Sequence, residues 1–248
     1  MPAMTRRRTL PLTTTPQFSP QSLAGLVLWL DAIALAQANG TPVAAWADQS
    51  GLGNNASQGT AAAQPTYQAT AINGRPGVVF DGVDDYMSIA DASSLDTPAV
   101  TVACVFALPT NNINGSIWRK YTQYSFMPAE AGVDYGIAFA NTTPGWAWID
   151  TTVPIQAGPQ VMIAAYQPSP AQLTFRLNSK TVLITSVAGA ITSSTSSFVI
   201  GAWDDAGTPS AFLTGTVAAL VVYNRALLSS ELEAVVRWLG MRYGIGGG

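Results

Sequence analysis

The chain has 248 residues, a formal charge of −3, no histidine, and 10% charged against 48% hydrophobic residues. A pI near 4.7 leaves no broad basic field to hold a polyanion, which argues against nucleic acid as a partner. The absence of histidine and the single cysteine exclude Ser-His-Asp and Cys-His catalysis, His-bearing or Cys-rich metal sites, and any intramolecular disulfide.

Residues 1–22 carry four prolines and little apolar content beyond Leu10, Leu12 and Phe18, so they build no core and are predicted as an extended N-terminal arm. Arg6, Arg7 and Arg8 within it suit phosphate, lipid headgroups or an acidic protein surface, and equally a solvated terminus. Ala34-Leu35-Ala36 resembles a cleavage site. However, Pro11, Pro16, Pro20 and a Thr-rich spacer separate the arginines from the apolar run, and Asp31 breaks that run, so neither a cleaved leader nor a membrane span is expected.

From Leu23 to the C-terminus, predicted as one domain over 23–248, a dozen short runs rich in β-branched and aromatic residues follow one another. They begin with GLVLWLDA and continue through GVVFD, YMSIA, VTVACVFAL, GSIWRKY, YGIAFA, GWAWID, VMIAAYQ, LTFRLN, TVLITSV and SFVIGAW to GTVAALVVYN. Gly, Pro, Asn, Asp or Ser bounds each run, and Asn178-Ser179 supplies tight-turn chemistry between two of them. LDAIALAQANG is expected to add a short helical turn. One helix is predicted in SSELEAVVRWLGMRYG: Ser230 and Glu233 have capping-box spacing, Leu232, Val235, Val236 and Leu239 form a stripe, and Gly244 can end it. A dozen strands with no helices between them predict an all-β, two-sheet antiparallel sandwich, with Cys104 buried in it.

GLVLWLDA, VAAWADQSGLGNNASQ, QPTYQATAINGRPGVVFDGVDDYMSI and the C-terminal GTVAALVVYNRALLSSELEAVVRWLGMRYGI resemble the concanavalin A-like lectin/glucanase superfamily, in its laminin-G-like branch, over about residues 25–245. The resemblance implies a jelly-roll sandwich with the first and last strands adjacent and the motif-bearing loops clustered nearby. Domains of this sort accompany secreted bacterial proteins and bacteriophage virion proteins, where they bind glycans or build surface. With the basic arm and no leader, the first expectation is a virion accessory protein, a capsid decoration or tail-associated component on the outer surface, in homo-oligomeric or lattice-bound form. Its arm, through Arg6, Arg7, Arg8 and Phe18, would anchor it to other virion proteins. The alternative is a carbohydrate-binding module for host surface glycans, with or without calcium.

No enzyme is expected. Glucanases of the superfamily carry a Glu-x-Asp-x-x-Glu strand that this chain lacks; Glu130 with Asp134, and Glu231 with Glu233, are the nearest substitutes. Glycan-binding candidates are Trp203, Asp204 and Asp205 at a strand end, and the loop bearing Asp48, Asn54 and Asn55, with Trp46, Trp118, Trp146 and Trp148 as further aromatic platforms or core residues. In VVFDGVDDYMSIA, Asp81, Asp84 and Asp85 read in two ways: as turn residues bent at Asp81-Gly82, or as ligands of a cation such as calcium, with Asp48 within reach. Val79, Tyr86 and Ile89 of that stretch are expected to face the core.

Overall fold

The structure, a computed structural model, describes residues 18–109, 115–128, 134–142, 148–178, 180–184 and 187–246. The strands in chain order are β1 (Leu26–Asp31), β2 (Ala45–Trp46), β3 (Ala56–Ser57), β4 (Thr66–Ile72), β5 (Arg75–Asp81), β6 (Met87–Ile89), β7 (Val100–Leu108), β8 (Trp118–Lys120) and β9 (Tyr124–Pro128). They continue with β10 (Asp134–Phe139), β11 (Ile149–Pro154), β12 (Gly158–Pro168), β13 (Ala171–Leu177), β14 (Lys180–Ile184), β15 (Phe198–Ile200), β16 (Trp203–Asp205), β17 (Thr208–Ser210) and β18 (Thr214–Tyr223), followed by helix α1 (Ser229–Tyr243).

Two eight-stranded antiparallel sheets pack face to face, and β16 with β17 forms a separate two-stranded ribbon. The first sheet runs β14-β13-β12-β7-β18-β5-β4, with β1 paired to β18, so the first and last strands lie side by side; the second runs β11-β10-β9-β8-β15-β6-β3-β2. Between them lies the main core, which includes Trp46, Phe80, Phe106, Trp118, Tyr124 and Phe126. A second apolar layer sits between the first sheet and α1, where Leu232, Val235, Val236 and Leu239 meet Ala103, Val105, Ala218 and Val221. This explains the unbroken apolar text of VTVACVFAL. Val102, Cys104 and Phe106 face the inter-sheet core while Ala103 and Val105 face the helix, so both faces of β7 are dry. The small alanines on the helix side let α1 approach the strands closely.

Helix α1 begins earlier than the capping-box spacing predicts. Glu231, not Glu233, reaches back to accept the Leu228 N–H at 2.8 Å, and Leu228 has no side-chain acceptor with which to return the bond. Arg225 grips the same carboxylate at 2.7 and 2.8 Å and holds it below the usual carboxylate range. Gly244 ends the helix as expected, at φ +63°. Near this end Arg242 Nε and the Tyr243 hydroxyl converge on Asp31, 2.6 and 2.7 Å from its oxygens, so the aspartate that interrupts the first apolar run is the fully buried tie between β1 and α1.

The outcome also differs from the sequence reading within the strands. In β5, Val78 and Phe80 are buried and Val79 is half-buried, because the pairing Val78↔Val217 turns the opposite parity inward. Ile89 is buried as expected, but Tyr86 is half-buried on the other side. Strands β4 and β9, in TYQATAI and YSFMP, were not among the predicted runs. The short helical turn exists at Ala32–Ala34, and Asn178 takes a left-handed φ of +51° in the turn between β13 and β14. Among the described residues no helix is long and apolar enough to cross a membrane.

Candidate functional site

The second sheet turns a row of mostly small and polar side chains away from the core. Strand register sets Ala138, Ser125, Arg119, Val199, Ser88 and Ser57 opposite one another across β10, β9, β8, β15, β6 and β3. The neighbouring row, Ile137, Phe126, Trp118, Ile200 and Met87, points inward, as the two-residue period of a strand requires.

Half of this outer surface is roofed. The β16–β17 ribbon folds over β8, and the Trp203 ring lies on the Arg119 guanidinium at 3.6 Å, with Trp148 tilted beside it at 5.7 Å. Trp148 also rests on Gly136, where an added Cβ would meet its ring at 3.0 Å. Arg119 is 1% exposed; its Nε donates to the Asp204 carbonyl at 2.7 Å and its Nη2 pairs with Asp205 at 2.7 Å. Burial lowers its pKa, and the charge of Asp205 opposes that shift.

The other half remains open as a cleft of about 430 Å³. Ser88 and Val199 form its floor, residues 195–197 one wall, and Asp204 with Ala206, Gly207 and Pro209 the other, with the half-buried Tyr86 among the lining groups. Two consecutive cations hold the walls. Arg119 fastens the ribbon, and Lys120, fully buried, donates to the Ser196 carbonyl at 2.9 Å and pairs with Asp91 at 2.8 Å and Asp96 at 3.1 Å. Asp204, 2% exposed, accepts the Gly207 N–H at 3.2 Å and thereby shapes the ribbon turn.

Trp203, proposed from sequence as an open platform, therefore spends one ring face on Arg119, while its neighbour Asp204 lines the cleft and Asp205 serves as counter-ion. The Asp48 loop is a brace. Asp48 accepts the Trp29, Ser50 and Asn54 N–H groups at 2.8–3.0 Å, Asn55 accepts the Asp48 N–H at 2.8 Å, and Asn54 donates to the Val27 carbonyl at 2.7 Å. None of these bonds reaches the cleft, so the loop and the Trp203 ribbon are not one site. Trp46 and Trp118 are core residues. Arg6, Arg7, Arg8, Glu130 and Trp146 lie outside the described residues. Phe18 packs against the helix-side layer. Glu231 and Glu233 pair with Arg225 and Arg176 on the helix side, away from the cleft.

Asp81, Asp84 and Asp85 bring carboxylate oxygens within 4.8 Å of one another, an all-oxygen set of the kind a calcium ion uses when waters and carbonyls complete it. The turn chemistry is present too: Asp81 accepts the Val83 N–H at 2.8 Å and Asp85 accepts the Asp81 N–H at 3.0 Å. Burial, reinforced by the charges of Asp81 and Asp84, pushes the Asp85 pKa up to about 6.

The sequence reading missed Tyr86, Ser88, Ser196, Ser197 and Val199 as a common surface, and missed the roles of Arg119 and Lys120. The available signal was two adjacent charges inside the apolar run GSIWRKY. A larger recess of about 660 Å³ lies where α1 meets Val161 and Arg176, but its lining contains neither an aromatic ring nor a Ser or Thr hydroxyl.

The family profile of laminin-G type described as the concanavalin A-like lectin/glucanases superfamily matches residues 81–233. No curated protein matches the chain in sequence. Among solved structures the chain is similar to Trypanosoma rangeli sialidase in complex with sialic acid, at TM-score 0.60 and 18% identity over 91% of this chain and 34% of that one. It is also similar to domain 4 of AbnA, a GH43 extracellular arabinanase from Geobacillus stearothermophilus, in complex with arabinotriose, at TM-score 0.59 and 12% identity over 85% and 98% of the two chains. The binding domain of botulinum neurotoxin DC in complex with SialylT aligns at TM-score 0.59 and 9% identity over 87% and 51%. This chain spans about a third of the sialidase's length, and at such identities the likeness is one of fold. The paired antiparallel sheets and the profile match over residues 81–233 together make the chain a member of the concanavalin A-like lectin/glucanases superfamily.

Proposed function

We propose that this chain is a non-catalytic carbohydrate-binding module whose glycan lies in the cleft on the outer face of the second sheet. The observation that carries the reading is the cleft's construction: Ser88, Thr195, Ser196 and Ser197 hydroxyls beside the Tyr86 ring, on a rigid sheet with both walls fastened from β8. Sugars are held by this combination of hydroxyl partners and an apolar ring face. The absence of an enzymatic role is supported by the carboxylate geometry. Most glycoside hydrolases place two carboxyl groups about one bond, whereas Asp204, the carboxylate in the lining, is committed to the Gly207 amide. Thr195 is exposed on the wall, so Thr195→Trp fills the cleft without disturbing the core. A glycan array followed by calorimetry should find a saccharide that binds the wild type and binds this variant at least about tenfold more weakly. Equal binding by the two proteins places the glycan elsewhere and refutes the site.

The finer reading, a bacteriophage virion accessory protein in a capsid or tail position, is favoured by one observation. Phe18 leads from the basic, proline-rich N-terminal segment onto the helix side of the sandwich, opposite the cleft. An arm leaving that side could anchor to other virion proteins while the cleft faces the host surface. Deleting residues 1–17 is expected to abolish incorporation into particles while leaving the far-UV spectrum unchanged; normal incorporation refutes the anchoring role.

A further inference from the structure

We infer that the cleft selects neutral saccharides and discriminates against sialylated and uronate-bearing ones. The inference rests on the glycan-binding reading above and specifies its ligand class. An anionic sugar needs a cation with donors to spare or a set of convergent free amides. The two cations beside the cleft are Arg119 and Lys120, and both are committed to its walls. Arg119 lies under Trp203 and binds Asp205 and the Asp204 carbonyl. Lys120 is fully buried and is shared among Asp91, Asp96 and Ser196.

The charge left facing solvent is negative. The Asp205 and Asp91 side chains are 58% and 32% exposed at the far ends of those pairs, and Asp204, in the cleft lining but 2% exposed, joins Asp96 to make four carboxylates against the two cations. The remaining described cations belong elsewhere: Arg176 and Arg225 pair with helix glutamates, Arg242 with Asp31, and Lys180 with the Thr152 carbonyl, while Arg237 lines the helix-side recess and Arg75 opens β5. The internal segments 110–114, 129–133, 143–147 and 185–186 contain no lysine or arginine, and Arg6, Arg7 and Arg8 precede Phe18, which packs on the helix side of the sandwich. A carboxylate brought into this cleft therefore meets like charge, whereas neutral hydroxyls find donors and acceptors in Ser88, Ser196 and Ser197.

The test uses the full chain with matched probes, lactose against 3′-sialyllactose and α-1,4-galactobiose against digalacturonate, together with cellotriose, maltotriose and chitotriose, titrated by calorimetry and by chemical shift. The expected result is binding of at least one neutral probe, lost in Thr195→Trp, with the acidic member of any binding pair at least about tenfold weaker. Thr195→Arg, which places a free guanidinium on the exposed wall, should narrow or reverse that ratio. Equal or tighter binding of 3′-sialyllactose or digalacturonate, abolished by Thr195→Trp, overturns the selectivity and leaves the glycan reading standing. Binding of no probe refutes the glycan reading, and the selectivity with it.

Discussion

Replacing Arg119 by leucine asks how much of the second sheet's outer architecture hangs on one guanidinium. The buried bond to the Asp204 carbonyl is charge-assisted, contributing about 1.5–3 kcal/mol. The Trp203 face at 3.6 Å adds about 1 kcal/mol. The Asp205 pair adds only about 0–1 kcal/mol, because that carboxylate is 58% exposed and solvent screens it. The sum is a loss of about 2.5–5 kcal/mol. It should appear first as detachment of the β16–β17 ribbon, which pairs with itself and not with either large sheet. Urea unfolding followed by both tryptophan fluorescence and far-UV circular dichroism separates the two events: the fluorescence transition should move to lower urea ahead of the dichroism. Lysine in place of Arg119 should recover little, since an ammonium cannot reach the carbonyl and the carboxylate as a fork or stack flat on the indole. Asp205→Asn should cost under about 1 kcal/mol. A leucine variant within about 1 kcal/mol of wild type, or an Asp205→Asn variant as damaged as it, would refute the reasoning.

The Asp85 carboxyl has a folded pKa raised from 3.8 to about 6, so the native state holds that proton more tightly than the unfolded chain. Its contribution is therefore complete below about pH 4 and is lost as pH rises through 6; Asp85→Asn should be more stable than wild type at pH 7, by on the order of 1–3 kcal/mol, with the gap closing at pH 4. A pH-independent difference in thermal melts contradicts that sign. If the aspartate cluster takes calcium, millimolar CaCl₂ should raise the wild-type Tm and lower the apparent Asp85 pKa, and should leave the Tm of Asp85→Asn unmoved; an unmoved wild-type melt rejects the cation reading. Gly201 has φ +85° and a substituted Cβ would stand 2.3 Å from the Phe80 ring, so Gly201→Ala should cost at least about 2–3 kcal/mol, and a neutral substitution would show that this turn is free to move.

The fold was legible because it depends on local periodicity. VTVACVFAL announces a strand with Cys104 buried in it, the Leu232, Val235, Val236 and Leu239 spacing announces an amphipathic helix, and the residues at both ends carry the superfamily resemblance. Parity was harder. Val79 alternates correctly with its neighbours, yet which of two interleaved sets faces inward follows from pairing with a strand well over a hundred residues away, Val78 with Val217.

The candidate site was legible only in fragments, for a related reason. Composition by itself establishes that this chain has no histidine-based chemistry and little charge, and the order of its apolar runs and turn residues predicts the antiparallel sandwich, since those conclusions require only residue types and spacing. Whether a polar side chain is available to a ligand depends on who else binds it, and those partners are distant in the chain. Asp48 and Asn55 resemble a sugar-binding pair until the Trp29 amide claims Asp48, and Trp203 resembles an open platform until Arg119, 84 positions earlier, slides beneath it. The cleft itself exists because tertiary packing sets Tyr86, Ser88, residues 195–197 and the β16–β17 ribbon around one patch of sheet. That neighbourhood is decided by strand register and by two buried cations, neither of which leaves a periodic signal in the sequence.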